Sequence, residues 1–237
     1  MTESIEDWYR KVYALTDVDT LYNFPSRAQA PGAVDKRYFR DLYHLPDSSR
    51  IYLYQGVLGS GRGLEMAAKA FGESLIQDGV LVLLGYGPME SEVKGWADAS
   101  SRIFFHPAVP PGDLQSLTGA ADVGLAPTVG SQCLSYYYSA PNKMFQYWRA
   151  GIPVVASQLP EHERFLTRYP AGVLTHSDSI QSFVTACQAL ENGDPAVIAL
   201  GIAKANDELR WENYTELFKS RYEDLATIRV EKFDNQL

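Results

Sequence analysis

Short runs of apolar, β-branched and aromatic residues alternate along most of the chain with longer segments whose apolar positions recur every three or four residues. The short runs predict buried strands at Ile51–Tyr54, Val80–Leu84, Ile103–Phe105, Val123–Ala126, Pro153–Ala156 and, more weakly, Gly172–Leu174. The longer segments predict helices at Leu64–Leu75, Glu90–Ala97, Leu114–Ala120, Lys143–Ala150 and Ile180–Leu190. Strands that are apolar on both faces and alternate with helices indicate an α/β fold, with a parallel sheet between two layers of helices.

Two flanks do not follow this alternation. Ile5–Tyr22 predicts a helix and a short extended piece, and Phe24–Gly32 is rich in Pro, Gly and Ala, as linkers are. After Pro195 the chain is mostly helix-forming, and a helical spacing relates the aromatic residues Trp211, Tyr214, Phe218 and Tyr222, which predicts a packing face. The predicted domains are an N-terminal flank and linker (1–35), one α/β domain (36–195) and a C-terminal helical segment (196–237) that packs back on it.

Charge and composition exclude several classes of protein. With 21 Lys and Arg against 29 Asp and Glu, the net charge is -8, so a broad nucleic-acid surface is not expected. No apolar run reaches the length of a transmembrane segment, and the first residues lack the plan of a signal peptide, which predicts a cytoplasmic location. Cys133 and Cys187 are isolated from other metal ligands, so we expect two buried thiols, without a disulfide or a zinc site.

In open parallel sheets, ligands bind where the carboxyl ends of strands meet helix N-termini. The loop after the first strand, Gln55–Gly63, contains four glycines and Arg62, a composition suited to binding an anion such as phosphate. It resembles a Walker A loop, but Arg62 and Gly63 replace the required Lys and hydroxyl residue, and it also lacks the third glycine of a dinucleotide-binding loop. The alternative is a tight turn with a solvent-exposed arginine.

The next two strand ends carry weaker signals. Gly85-Tyr86-Gly87-Pro88 provides a sharp turn and a proline suited to the first position of a helix. His106 and Pro107 follow the third strand, where a lone histidine is more often a structural residue than a ligand. Both loops are candidates for ligand binding only because they lie at the carboxyl ends of strands.

A longer polar and aromatic loop precedes the helix at Lys143–Ala150. The start of this helix, near Pro141, is a second expected anion site, to which Lys143 adds a positive charge. Gln146 lies one turn after Asn142 and shares its face. The alternative for Tyr136–Tyr138 is that these tyrosines only cover the end of the sheet.

Taken in order, these motifs resemble the C-terminal, nucleotide-sugar-binding domain of retaining glycosyltransferases of family 4. The resemblance spans about Asp17 to Tyr222 and implies one Rossmann-like half of a GT-B fold, in which two such domains face a cleft. The segments that carry it are Tyr54–Gly56, Arg62–Glu65, Leu84–Pro88, Ala120–Pro127, Pro141–Tyr147 and Ala150–Ser157.

The resemblance also implies roles for individual residues. Arg62 would contact the donor diphosphate, and Lys143 with Asn142 would hold its phosphates. His106 and Pro107 would meet the nucleobase, and Gln146 would bind the ribose. The predicted catalytic residues are Arg62 and Lys143, and the predicted donor-binding residues are Gly56, Gly59, Gly61, Gly85, His106, Pro107, Tyr138, Asn142 and Gln146. The implied substrate is a nucleoside-diphosphate sugar, with no metal and no cofactor.

The sequence departs from the family pattern at three points. Tyr138 and Gln146 replace the two acids of the Glu-seven-residues-Glu pattern, and Val57 replaces the first donor-binding cation. Only a short flank precedes the first strand, where such enzymes have an acceptor-binding domain. The expected function is therefore the donor-binding part of a glycosyltransferase, with a fragment or an acceptor-domain partner chain as the two explanations for the missing half.

Two other functions remain open. A catalytically decayed interaction subunit would use exposed apolar surface on the N-terminal flank and the last helix as its interface. A sugar-nucleotide epimerase of similar fold would need a pair of acid and base carboxylates. Glu161 and Glu163 are the closest pair, but we expect them to be solvated residues at a helix start.

Overall fold

The structure is a computed structural model that describes residues 2–26, 34–139, 142–176 and 178–223. Its centre is a parallel six-stranded sheet with the strand order β3-β2-β1-β4-β5-β6. The strands are β1 (Arg50–Val57), β2 (Gly79–Tyr86), β3 (Ile103–Pro107), β4 (Val123–Ala126), β5 (Val154–Ser157) and β6 (Gly172–Thr175). The predicted α/β class and parallel sheet are confirmed.

Helices cover both faces of this sheet. They are α1 (Glu3–Tyr13), α2 (Tyr38–Leu42), α3 (Leu64–Gly72), α4 (Glu90–Ala99), α5 (Pro111–Gly119), α6 (Leu134–Tyr137), α7 (Asn142–Arg149), α8 (Pro160–Arg168), α9 (Ile180–Glu191) and α10 (Pro195–Glu208). Turns of 3₁₀ helix lie at Gly130–Gln132 and Trp211–Tyr214, and a further helix covers residues 215–223. The sequence pattern predicts no bounds for α2, α6, α8 or α10.

Two apolar cores form because successive side chains of a strand point to opposite faces. In β1, Ile51 and Leu53 face the layer of α5, α7, α8 and α10, whereas Tyr52 and Tyr54 face the layer of α3, α4 and α9. All four side chains are buried, which explains why the sequence of β1 has no polar stripe.

Glycines allow the loops at the carboxyl edge of the sheet to pack closely. Gly63 has φ +68° at the start of α3, where an added Cβ would lie 1.9 Å from the Pro127 carbonyl oxygen. An added Cβ at Gly87, after β2, would lie 2.3 Å from the carbonyl oxygen of Leu58, which follows β1. The loops after β1, β2 and β4 therefore touch through their backbones.

The N-terminal flank packs onto the α/β domain. Tyr22 and Phe24 belong to the core beneath α7 and α8, where the Phe24 ring lies 4.8 Å from that of Phe145. Glu161, in the first turn of α8, is fully buried and accepts hydrogen bonds from the Ser4 amide at 2.8 Å and the Tyr22 hydroxyl at 2.6 Å. The expectation that Glu161 is solvated is therefore wrong, because the flank covers it.

Two other expectations need correction. Cys187 is buried, as predicted, but Cys133 is exposed, since it begins the short helix α6 on the surface. In the C-terminal aromatic stripe, Tyr214 stacks on Phe24, but Tyr222 is 73% exposed, so only the first part of this stripe packs. The domain boundaries near residues 35 and 195 stay a prediction.

Candidate functional site

The candidate site lies at the carboxyl edge of the sheet, where β1 and β4 are neighbours. From β1 the chain continues to β2 on one side, whereas β4 continues to β5 on the other, so the connecting loops diverge here, at the position where open parallel sheets bind ligands. The loop after β1 carries Arg62, and the segment after β4 leads to α7, which carries Lys143 in its first turn.

Lys143 reaches over the end of β1. Its Nζ atom lies 3.8 Å from the centre of the Tyr54 ring and 3.9 Å from the position that a Cβ on Gly56 would occupy. The contact between the ammonium group and the ring face is a cation–π interaction. The side chain is thus directed to the glycine loop.

Arg62 provides a second positive charge at the same place. Its guanidinium carbon lies 4.3 Å from the centre of the Tyr136 ring, on α6. Burial, followed by repulsion from Arg62, lowers the pKa of Lys143 to about 7. Within the described residues, neither cation has an Asp or Glu partner, so the site carries positive charge that no acidic side chain neutralises.

Gln146 lies one turn further along α7 and takes part in a network of amides. Its Oε1 atom accepts a 2.8 Å hydrogen bond from Gln55 Nε2, at the end of β1. Gln55 Oε1 in turn accepts a 2.7 Å hydrogen bond from the Thr118 hydroxyl in α5. Gln55 and Thr118 are buried, whereas Gln146 is half-buried.

Gly85 and Pro107 extend the same edge across β2 and β3. Gly85 pairs with Gly56 on one side and with Pro107 on the other, so these three residues form a row at the strand ends. His106 is 6% exposed, with Nδ1 2.7 Å from the Pro107 carbonyl oxygen and Nε2 2.9 Å from the Tyr38 hydroxyl. Both ring nitrogens of His106 are therefore occupied within the protein, while Pro107 is exposed.

The remaining predicted residues differ in position. Asn142 is exposed at the first position of α7, beside Lys143. Gly59 and Gly61 are buried in the loop after β1. The Tyr138 ring packs against that of Tyr137, and its carbonyl oxygen accepts a 2.7 Å hydrogen bond from the Thr2 hydroxyl. The structure thus gathers Arg62, Lys143, Asn142, Gln146 and the glycines at one edge, and binds Tyr138 to the N-terminal flank.

Sequence reasoning missed the residues that hold the cations and the amide in place. Tyr54 and Tyr136 lie beneath the two cations, and Gln55 fixes Gln146. No sequence signal marked Gln55, because the pattern ends the strand at Tyr54 and only the structure extends β1 to Val57.

His162, in the first turn of α8, lies behind the site. Its Nδ1 atom is 2.7 Å from the Ser157 carbonyl oxygen, while its buried Nε2 atom has no hydrogen-bond partner in the described part of the chain. Burial, reinforced by the charge of Lys143, lowers the pKa of His162 to about 4, despite the hydrogen bond to Ser157. The ring is therefore neutral at physiological pH.

Solved structures of glycosyltransferases have a similar fold. Sucrose-phosphate synthase from Thermosynechococcus elongatus superposes with a TM-score of 0.76 at 19% identity, over 96% of this chain and 58% of that chain. HepE from Anabaena, solved in complex with UDP, gives a TM-score of 0.72 at 14% identity, over 87% of this chain and 57% of that one. The glycosyltransferase WaaG gives a TM-score of 0.69 at 16% identity, over 88% of this chain and 57% of that chain. This chain therefore spans somewhat more than half the length of these proteins.

These likenesses establish that the fold is one Rossmann-like half of a GT-B fold. A search of curated protein sequences finds no match. None of the helices in the described ranges combines the length and apolar character needed to cross a membrane. Residues 49–192, more than half of the chain, match the sequence model of a family described as Glycosyl transferases group 1. The chain therefore belongs to the family Glycosyl transferases group 1.

Proposed function

We propose that this chain is the donor-binding part of a retaining glycosyltransferase similar to family 4. It would bind a nucleoside-diphosphate sugar, and the acceptor would lie on a second domain or on a partner chain. In the same proposal, sugar transfer requires no metal and no cofactor, and the protein is cytoplasmic.

The observation that supports it most is the pair of cations without acidic partners. Arg62 lies in the loop after β1 and Lys143 in the first turn of α7, yet each lies over a tyrosine ring at the same edge of the sheet. Partly buried positive charges that repel each other cost free energy, which a bound anion recovers. A diphosphate carries enough negative charge to pair with both side chains.

The same arrangement suits the chemistry of sugar transfer. When the bond between the sugar and the diphosphate breaks, negative charge grows on the departing phosphate oxygen. Arg62, Lys143 and the backbone amides at the start of α7 would stabilise this charge more than they stabilise the ground state. Neutralisation of the leaving group would thus be the main contribution of this chain to the rate.

Calorimetric titration with UDP, GDP and ADP tests the proposal. We expect at least one of them to bind, and Arg62→Ala and Lys143→Ala each to weaken binding about tenfold or more, because each removes a charge-assisted hydrogen bond. Lys69→Ala is the matched control, since Lys69 is a 58% exposed cation on α3, after the Arg62 loop. It should change affinity less than about twofold.

Two results would contradict the proposal: no heat with any of the three nucleotides, or binding that Arg62→Ala leaves unchanged. The first result, together with copurification of an acceptor-domain protein, would favour the decayed interaction subunit.

A further inference from the structure

A cavity of about 290 Å³ lies at the carboxyl ends of β5 and β6. Three separate segments of the chain, which follow β4, β5 and β6, contribute to its lining. The side chains that line it include Ser131, Tyr137, Gln158, Leu159, His176 and Asp178. Because this volume is near the lower limit for ligand pockets, the cavity suits a molecule about as large as a monosaccharide.

One wall of this cavity is formed by α6, which also contacts the candidate site. Tyr136, whose ring centre lies 4.3 Å from the Arg62 guanidinium carbon, is followed directly by Tyr137, which lines the cavity. In the loop before α6, the Val129 amide donates a 2.9 Å hydrogen bond to the Gly61 carbonyl oxygen, and the residue after Val129 also lines the cavity. A ligand in the cavity would therefore lie beside the loop that carries Arg62.

The Tyr137 ring gives the cavity an apolar surface that is held in place. The side chain is 42% exposed, yet its ring packs edge-on against that of Tyr138, with 5.0 Å between the ring centres. A Cβ added to Gly130 would lie 3.2 Å from Tyr137 Cδ2 and 2.5 Å from Leu159 Cδ2, so the turn at Gly130 packs against the ring. An exposed ring that is already fixed loses little conformational entropy when a ligand stacks on it.

Polar groups from two strand ends line the same cavity. His176 Nδ1 lies 3.2 Å from Gln158 Oε1, so the loops after β5 and β6 hold each other's side chains. Asp178 is exposed, and its carboxylate has no hydrogen-bond or ion-pair partner in the part of the chain that the structure describes. No Lys or Arg is found among the described residues of the lining. The cavity therefore lacks the permanent positive charge that a phosphate group would need.

This combination of groups fits a pyranose ring. Its C–H face is apolar and can stack on an aromatic ring, and each of its hydroxyl groups both donates and accepts hydrogen bonds. We propose that the cavity binds a pyranose of the acceptor, stacked on Tyr137 and hydrogen-bonded through its hydroxyls to Asp178 and Gln158. The acceptor role rests on the proposed function, which places the donor diphosphate at Arg62, whereas the saccharide site does not. This chain would then hold part of the acceptor as well as the donor.

Saturation-transfer NMR on the whole chain tests the site with the methyl α-glycosides of glucose, galactose, mannose and N-acetylglucosamine. We expect at least one to bind with a dissociation constant in the millimolar range, because so small a ligand makes few contacts. Tyr137→Ala should weaken this binding about threefold to tenfold, since it removes the ring. Asp178→Asn should weaken it about tenfold, since it removes a charged acceptor. Tyr137→Phe keeps the ring and should retain most of the affinity, which separates lost stacking from lost folding.

Tyr222→Ala and Asp98→Asn are the matched controls, because both residues are exposed and lie outside the cavity. Each should change the affinity for the glycoside less than about twofold. Binding of none of the four glycosides, or binding that Tyr137→Ala and Asp178→Asn both leave unchanged, would overturn the inference. Binding of methylammonium without binding of any glycoside would also overturn it, since a small cation needs only the carboxylate of Asp178.

A second measurement distinguishes the acceptor from the transferred sugar. Calorimetry compares whichever of UDP, GDP and ADP binds best with the corresponding nucleotide-glucose, in the wild type and in Asp178→Asn. We expect Asp178→Asn to change both affinities less than about twofold. A weaker affinity for the nucleotide-glucose alone would place the transferred sugar in the cavity and overturn the acceptor role. An absence of nucleotide binding beside intact glycoside binding would contradict the proposed function and the acceptor role, but not the saccharide site.

Discussion

Lys143 Nζ lies 3.8 Å from the centre of the Tyr54 ring, so the main phosphate-binding candidate rests on the last aromatic residue of β1. The ring face attracts the ammonium ion, whereas burial and the charge of Arg62 disfavour it, and the pKa of Lys143 is lowered to about 7. The charge of this site therefore changes within the physiological pH range.

Donor affinity should consequently depend on pH. The protonated form of Lys143 binds the diphosphate, so affinity falls as pH rises through 7. With a pKa of about 7 in the free protein, binding should be about tenfold weaker at pH 8 than at pH 6. Calorimetry with a nucleoside-diphosphate sugar measures this, since its diphosphate diester does not titrate in the range. The control is Lys143→Arg, because arginine stays charged. The same pH profile in both proteins would contradict the assignment.

His162 should make the protein sensitive to acid. Its pKa is about 4 in the folded chain against an ordinary value of 6.5, so the unfolded chain takes up the proton first as pH falls. Stability should therefore be lost between about pH 6.5 and 4, by about 3 kcal/mol at the lower limit. Urea unfolding at several pH values measures the slope. His162→Gln should reduce the change of the unfolding free energy with pH, whereas His176→Gln, at an exposed histidine, should not. An unchanged pH dependence in His162→Gln would refute the assignment to His162.

Glu161 should anchor the N-terminal flank. In Glu161→Gln, one carboxylate oxygen becomes an NH₂ group that faces the donors of Ser4 or Tyr22, so we expect a loss of about 1–3 kcal/mol of unfolding free energy. Tyr22→Phe removes one donor only and should cost less. Chemical denaturation gives the free energies, and amide hydrogen exchange at Ser4, whose N–H bonds to Glu161 at 2.8 Å, reports local release. Unchanged exchange at Ser4 in Glu161→Gln would show that this contact does not hold the flank.

Gly63 should not tolerate a side chain. Its φ of +68° and the 1.9 Å approach of an added Cβ to the Pro127 carbonyl oxygen require Gly63→Ala to displace backbone, at a cost of about 2–4 kcal/mol. Gly95→Ala is the matched control, because Gly95 lies within α4 with no atom within 4 Å of an added Cβ. That change should be neutral or stabilise by up to about 1 kcal/mol. Thermal unfolding of both variants measures these effects. Equal unfolding midpoints would contradict the close packing of Gly63 against Pro127.

The sheet was predictable because its strands are apolar on both faces. Strand ends were less predictable, since Gly56 and Val57 continue β1 only through pairing with Gly85 and Tyr86. The position of Arg62 and Lys143 at the same edge of the sheet followed from the order of elements along the chain. Which aromatic rings lie beneath them could not be predicted, because Tyr54 and Tyr136 reach these places through packing.

Contacts between residues far apart in sequence explain the main error. Pro160 followed by Glu161 and Glu163 is typical of a solvated first helical turn, and Glu163 is indeed exposed. Glu161 is buried because Ser4 and Tyr22, from the other end of the chain, pack on it. A local pattern carries no information about such a partner.

The neighbouring positions of β1 and β4 have a consequence for folding. Arg62 follows β1 and Lys143 follows β4, so the two cations meet only after β4 has crossed back beside β1. A partly folded chain in which only β1, β2 and β3 have paired would have Arg62 in place but not Lys143. The time at which nucleotide binding appears during refolding would therefore report when β4 pairs with β1. Added nucleotide would slow unfolding more than it speeds folding.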